Sequence, residues 1–244
     1  MEEHTHKNHK NNLAIPIAIV IAGVMIGGAV IFSNKNTNNN LALTPEKAVV
    51  ENKGDLDQMM PITKEDHIRG DPNAPVKIVE YSDTECPFCK RFHNIMKQVM
   101  EEYGKDGKVA WVYRHFPLDQ LHPIKARNEA TAFECANEQG GNDKFWQYAD
   151  RLYEVTPSNN GLDSAELPKI AQYVGLNVSK FNTCLSSGKY DQHIQDDLDN
   201  AMATGGQGTP WSIIVGPNGK KYPLSGAQPV SVINQLIDLA LQEK

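Results

Sequence analysis

The chain has no surplus of positive charge: 24 Lys and Arg stand against 30 Asp and Glu, a net charge of −6 at pH 7. Nucleic acid is therefore disfavoured as a partner, because its phosphate backbone is held by cationic contacts. Cysteine is scarce too, with four in 244 residues. Two of them form Cys86-Pro87-Phe88-Cys89, and downstream there is neither a second Cys-x-x-Cys nor a His-x(3–5)-His pair. A structural zinc ion takes four ligands. Although His93 shares a helical face with Cys89, the set stays incomplete, and no metal site or other cofactor is expected.

Charge is missing altogether from Leu13 to Phe32, twenty residues rich in Ile, Val, Ala and Gly. At about 1.5 Å per residue this run spans roughly 30 Å, the thickness of a bilayer core. A cleaved signal peptide is the competing reading, with Gly27-Gly28-Ala29 as a weak cleavage site, but such apolar regions usually run only about 7 to 15 residues. An uncleaved single-pass anchor behind a short polar tail (1–12) is the favoured reading. Lys7 and Lys10 before the run are matched by Lys35 and Lys47 after it, so charge does not set its orientation. The cysteines speak to compartment instead: their even number, all beyond the run, fits oxidising surroundings. Residues 33–65 are rich in Asn, Lys, Glu, Thr and Asp and read as a flexible tether with a reach of roughly 30 Å. Within it, Thr44-Pro45-Glu46 has the form of a helix start.

From residue 66 onward the pattern is that of a folded domain. Val76–Ser82 and Val109–Phe116 read as strands, and the segment between them reads as a helix running from near Cys86 to before Gly104. This order implies a parallel pair with a right-handed crossover. Helices are predicted over Ile124–Gln139, Asp143–Tyr153, Ala165–Val174 and Tyr190–Ala203. Strand character returns at Trp211–Val215, a turn at Gly216-Pro217-Asn218-Gly219 leads into Lys221–Leu224, and an amphipathic helix carries Ile233, Leu236, Ile237, Ala240 and Leu241. The two thiols thus stand at a strand-to-helix corner. There the free N–H groups and the dipole of a first helical turn favour thiolate at Cys86, and Pro87 is tolerated because its missing N–H has no partner to lose.

Ile68-Arg69-Gly70-Asp71-Pro72-Asn73-Ala74-Pro75-Val76, Glu80-Tyr81-Ser82-Asp83 and Glu85-Cys86-Pro87-Phe88-Cys89-Lys90-Arg91-Phe92-His93 together resemble the DsbA-like thiol:disulfide oxidoreductases. Phe116-Pro117-Leu118, Leu121-His122-Pro123 and Gly208-Thr209-Pro210 extend the likeness over roughly residues 66–244. The resemblance implies an α/β thioredoxin fold with an all-helical domain inserted at about 118–206, here preceded by a transmembrane helix.

It also implies roles. Cys86 takes the place of the nucleophile and Cys89 that of its resolving partner. Glu80 takes the place of the buried acid that accepts the proton of Cys89, although a carboxylate on a solvated strand face is the plainer reading. Thr209-Pro210 resembles the cis-proline loop facing the dithiol, which with Pro87 and Phe88 would meet the substrate. Phe88 departs from the best-known members, which carry His there. With one stabiliser missing, Glu85 adjacent, and Lys90 and Arg91 offsetting it in part, a depressed but moderate Cys86 pKa is expected. His122 reads as a residue leading into a helix rather than a catalytic one. Cys135 and Cys184 are either buried free thiols or a structural disulfide. Phe145, Trp146, Tyr148, Leu152 and Tyr153 read as insert core, with an exposed subset as a possible peptide groove.

The expected function is disulfide formation in exported, cysteine-containing proteins by a monomer on the extracytoplasmic side of the membrane, with reoxidation by a quinone-linked membrane partner that the resemblance implies. A reductase or isomerase of the same compartment and a non-catalytic peptide-binding chaperone are the alternatives. The anchor makes one firm prediction. Carbonate-washed membranes should retain the full-length chain, with its domain open to external protease once the envelope is permeabilised; a soluble product beginning near Val30 would identify a signal peptide.

Overall fold

Seven consecutive residues, Val76–Ser82, form strand β2 at the centre of the sheet, and six of the seven are buried. The computed structural model describes residues 54–243, so Leu13–Phe32 and Thr44 lie outside the described residues. Among the described residues no helix is long and apolar enough to cross a membrane. Strand β3, Val109–His115, runs parallel to β2 from the pair Val76 and Val109 to the pair Ser82 and His115. Between them lies helix α1, Pro87–Val99, which turns its apolar side chains Cys89, Phe92, Met96 and Val99 inward and ends in a π turn, Met100–Gly104.

Strand β1, His67–Arg69, adds antiparallel to β3, while β4, Trp211–Val215, and β5, Lys221–Ser225, add antiparallel on the other side of β2. The order is β1-β3-β2-β4-β5. Side chains alternate across a strand. Val76 and Ile78 face the layer that holds α1 and the C-terminal helix Val230–Leu241. Val79 and Tyr81 face a second cluster with Val112, Phe116, Ala201, Trp211 and Ile213. By the same parity Glu80 points toward α1.

The insert consists of helices α2, Lys125–Val155, α3, Glu166–Tyr173, α4, Val178–Leu185, and α5, Asp191–Ala203; the C-terminal helix is α6. The two helices expected on either side of Gly140-Gly141 are both present: the stretch α2 is two helices meeting at a kink, where Gly140 and Gly141 leave the helical conformation and Gly141 has φ 67°. Helix α4 was not expected from the sequence, although its start is marked by Asn177, whose side chain accepts from the Lys180 N–H. Strand β1 escaped because three residues are too few to show an alternation.

Two expectations need correction. The tether does not extend to residue 65. From Gly54 on the chain is folded: Asp55 N–H bonds Ala203 O at 3.1 Å, Asn200 Nδ2 bonds Gln58 O at 2.7 Å, and Leu56, Met59 and Ile62 pack on the second cluster. Its polar composition hid three well-spaced apolar contacts. Nor does any subset of Phe145, Trp146, Tyr148, Leu152 and Tyr153 form a peptide groove, since all five are buried in the core.

Cys135 of α2 and Cys184 of α4 form a disulfide across a separation of 49 residues. Closing a loop of that length stabilises the fold by about 4 kcal/mol in the chain-entropy treatment. The Cys135→Ala/Cys184→Ala double variant should therefore melt roughly 8 to 16 °C lower by circular dichroism. A melting temperature unchanged by the double substitution would show that packing alone holds the insert.

Candidate active site

The turn Asp83-Thr84-Glu85 joins β2 to α1 and sets Cys86 at the N-cap, with extended backbone (φ −79°, ψ 121°) and Pro87 immediately inside the helix. The Cys86 carbonyl accepts the first helical bond from Lys90 N–H at 3.1 Å. Cys86 retains 5% exposure and Cys89 none, and both are free thiols. Thr209 and Pro210 arrive from the other side of the sheet through a cis peptide bond, bringing Thr209 O to 3.4 Å from Cys86 Sγ, which donates to it. The Asp83 N–H donates to Cys89 Sγ at 3.4 Å.

The two sulfurs differ electrostatically. The Cys86 thiol is pulled down to about 6, chiefly by a hydrogen bond from the Cys89 thiol, then by the Thr209 side chain and the backbone N–H groups of Cys89 and Phe88, all working against burial. The buried Thr209 hydroxyl finds no hydrogen-bond partner beside the free thiol, and a thiolate at Cys86 would offer it one. Burial pushes Cys89 far up, and the neighbouring charges of Cys86 and Glu80 push it further. Glu80 is itself buried, which raises its carboxyl to about 7 although Trp111 Nε1 donates to it at 2.8 Å. The solvated-face reading of Glu80 is thereby excluded.

The flanking cations do not act as expected. Lys90 Nζ turns away to the carbonyls of Glu154 and Thr156. Arg91 donates to Ala227 O at 2.9 Å and lies over the Phe88 ring. The Cys86 thiolate is stabilised by hydrogen bonds and helix N–H groups rather than by a cationic side chain.

Beneath the corner, Asp83 accepts from Glu85 N–H at 2.8 Å and Leu118 N–H at 2.7 Å, and pairs with His122 Nδ1 at 2.9 Å. His122 thus braces the turn from a buried position before α2. His93 pairs with Asp150 at 2.7 Å and stacks on Tyr153, so it makes no ligand set with Cys89.

Two solved structures share this architecture. DsbA2 of Pseudomonas aeruginosa matches with a TM-score of 0.63 and 30% identity, over 75% of this chain and all of that one. The α-DsbA1 of Wolbachia pipientis matches in fold with a TM-score of 0.65 at 23% identity, over 76% of this chain and 96% of its own. The thioredoxin family profile matches residues 62–238. The chain belongs to the thioredoxin family and is DsbA-like. A curated relative, the Na(+)/H(+) antiporter NhaA 1 of Mycolicibacterium gilvum, is 34% identical over 170 residues, which are 68% of this chain and 26% of that protein. This DsbA-like chain spans about a quarter of the length of the curated relatives it matches.

Two features of the site were not visible in the sequence motifs. Phe88 is 54% exposed, and with Ile95, Thr209, Ala227 and Pro229 it lines a cleft of about 590 Å³ beside Cys86. Behind Cys86, Glu85 is wholly buried against Glu129 of α2, and one oxygen of each carboxyl finds no other partner. Burial, with the hydrogen bond to Glu85, raises Glu129 to about 9. The signal was a Glu on the inward face of α2, legible only once the fold sets it opposite residue 85.

A raised carboxyl pKa makes stability fall with pH. The folded state keeps a proton that the unfolded chain releases at its ordinary value of 4.5. The contribution is full below that pH and lost as pH rises through about 9. Glu129→Gln should remove this dependence. With all cysteines oxidised, the variant should melt higher than wild type at pH 8 by at least about 3 °C, and the difference should shrink toward pH 5. Parallel curves for the two proteins from pH 5 to 9 would show that Glu129 is ionised in the fold.

Proposed function

We propose that this protein introduces disulfides into exported proteins on the extracytoplasmic side of the membrane, as a monomer tethered by Leu13–Phe32. The observation that carries the reading is the inequality of the thiols, with Cys86 held near pH 6 and Cys89 far above it. A dithiol whose outer member is a stable thiolate favours its reduced form, and so its disulfide is an oxidant.

In the forward reaction a substrate thiolate attacks Cys86 Sγ, and the Cys86–Cys89 bond breaks. Cys89 leaves as a thiolate and takes up a proton. Glu80, with its carboxyl near 7, is placed to exchange that proton and, in the reverse sense, to accept it from Cys89. The second substrate thiolate then attacks the substrate sulfur of the mixed disulfide, and Cys86 departs as the stable thiolate. The substrate loses two electrons and the Cys86–Cys89 pair gains them. A quinone-linked membrane partner would remove them again. Phe88, Pro87, Thr209 and Pro210 frame the approach to Cys86, and the apolar cleft beside Phe88 suits an unfolded segment better than a folded surface.

Three measurements test the proposal. Alkylation of the reduced protein at mildly acidic pH should label Cys86 first. Cys89→Ser should accumulate mixed disulfides with envelope proteins. The potential against glutathione should lie well above the roughly −270 mV of thioredoxin, though Phe88 leaves it below the roughly −120 mV of the strongest oxidants. A potential near −270 mV would make the protein a reductase, and preferential labelling of Cys89 would reverse the two roles.

A further inference from the structure

At the C-terminal end of β3, where His115 pairs with Ser82 just before the redox turn, four elements bring nitrogen and oxygen donors to one point. His67 of β1, His115 of β3 and Glu134 of α2 are buried, with side-chain exposures of 5%, 1% and 3%. Their ligand-type atoms all lie within 4.8 Å of one another. His67 Nε2 is 2.7 Å and His115 Nε2 2.8 Å from the same oxygen, Glu134 Oε1. A third imidazole, His193 of α5, sets its Nε2 at 3.7 Å from that oxygen and 4.0 Å from Asp197 Oδ2. No motif announces this set, because His67 and His115 stand 67 and 19 residues from Glu134.

We propose that His67, His115, Glu134 and His193 bind a divalent first-row transition cation of the zinc type. Three imidazole nitrogens and one carboxylate oxygen suit borderline cations such as Zn(II), Co(II), Ni(II) and Cu(II), whereas calcium and magnesium prefer all-oxygen shells. Tetrahedral bonds of about 2.0 to 2.1 Å place neighbouring ligand atoms roughly 3.3 Å apart. The present separations from Glu134 Oε1, 2.7, 2.8 and 3.7 Å, straddle that value.

The rings are already held in place. His67 stacks on Phe145 at 3.6 Å, and His115 is packed edge-on by Tyr113, Phe133 and Phe145. Asp197 fixes the His115 backbone, accepting its N–H at 2.9 Å. Access exists as well. A cleft of about 300 Å³, lined by Thr63, Asp66, His67, Tyr113, His193 and Asp197, opens onto the cluster, and the His193 side chain is 45% exposed at its mouth. The ion would cross-link the edge of the sheet to two helices of the insert.

The test uses the full-length chain in detergent with all four cysteines oxidised, so that no thiol competes for metal. Zn(II) should bind one per chain by titration calorimetry and by elemental analysis after gel filtration, and should raise the melting temperature by about 5 °C at a hundredfold excess over Kd. Co(II) should give the visible bands of a four-coordinate nitrogen and oxygen site without a sulfur charge-transfer band. His193→Ala, at the exposed member, should leave the circular dichroism spectrum intact and weaken Zn(II) binding at least tenfold. His67→Gln should abolish it. No Zn(II) binding at millimolar concentration, binding unchanged in His193→Ala, or a preference for calcium over zinc would each overturn the assignment.

Discussion

Everything at the redox corner depends on one hydrogen bond, from the buried Cys89 thiol to the sulfur of Cys86. It is the largest influence lowering Cys86, and the same bond helps raise Cys89. A three-residue step along a helix start makes the bond possible: Cys86 is the N-cap, where backbone N–H groups are free, and Cys89 lies one turn inside with its side chain turned to the core. Burial then enforces the asymmetry. A sulfur with no exposure is costly to ionise, so the negative charge stays on the partner nearest solvent. Glu80 joins the same arithmetic from below. Two acids buried near each other do not both ionise readily, and the charge on Glu80 helps keep the Cys89 thiol protonated.

The fold exists to hold that corner against its neighbours. The parallel pair of β2 and β3 needs a crossover helix, and the crossover is α1, so the dithiol sits where a strand end meets a helix start. The antiparallel partner β4 brings Thr209 and Pro210 to the same place from the opposite side of β2. The insert contributes from behind. Its loop places Ser158, Asn159 and Asn160 in the left-handed region, with φ of 64°, 53° and 62°, and from there Asn159 N–H bonds Glu85 O at 2.7 Å. Side chains rarely adopt that conformation, and three in succession are tolerated because the loop is anchored by Lys125 Nζ on the carbonyls of Asn160 and Leu162.

Much of this was legible in the sequence, for local reasons. Strand β2 was read with its observed bounds because seven residues of mostly buried character lie between Pro75 and Asp83, and α1 was legible from its apolar spacing. Tertiary partners were not legible. Whether Glu80 faces solvent or core depends on which side of the sheet α1 covers, a fact of topology. The charges of Lys90 and Arg91 suggested help for Cys86, but carbonyls of distant segments, Thr156 and Ala227, claim both. Residues 54–65 looked like tether because composition averages over the few apolar side chains that decide docking. The pairing of Glu85 with Glu129, and of His67 and His115 with Glu134, joins residues that no periodicity relates.

The way Cys86 is stabilised has a consequence for how the protein works. A thiolate held by a neighbouring cation would lose part of its support in salt and would present positive charge to every client. Here the support comes from the Cys89 thiol, the Thr209 hydroxyl and helix N–H groups, all fixed dipoles at short range. Such contacts are screened little, and their strength depends on geometry rather than on ionic surroundings. Arg91, freed from that duty, lies over Phe88 and ties α1 to the loop at Ala227, so the cation shapes the apolar cleft instead of tuning the sulfur. Cys86 and Cys89 are thus held by buried hydrogen bonds, while Phe88 between them faces outward and lines the adjoining cleft.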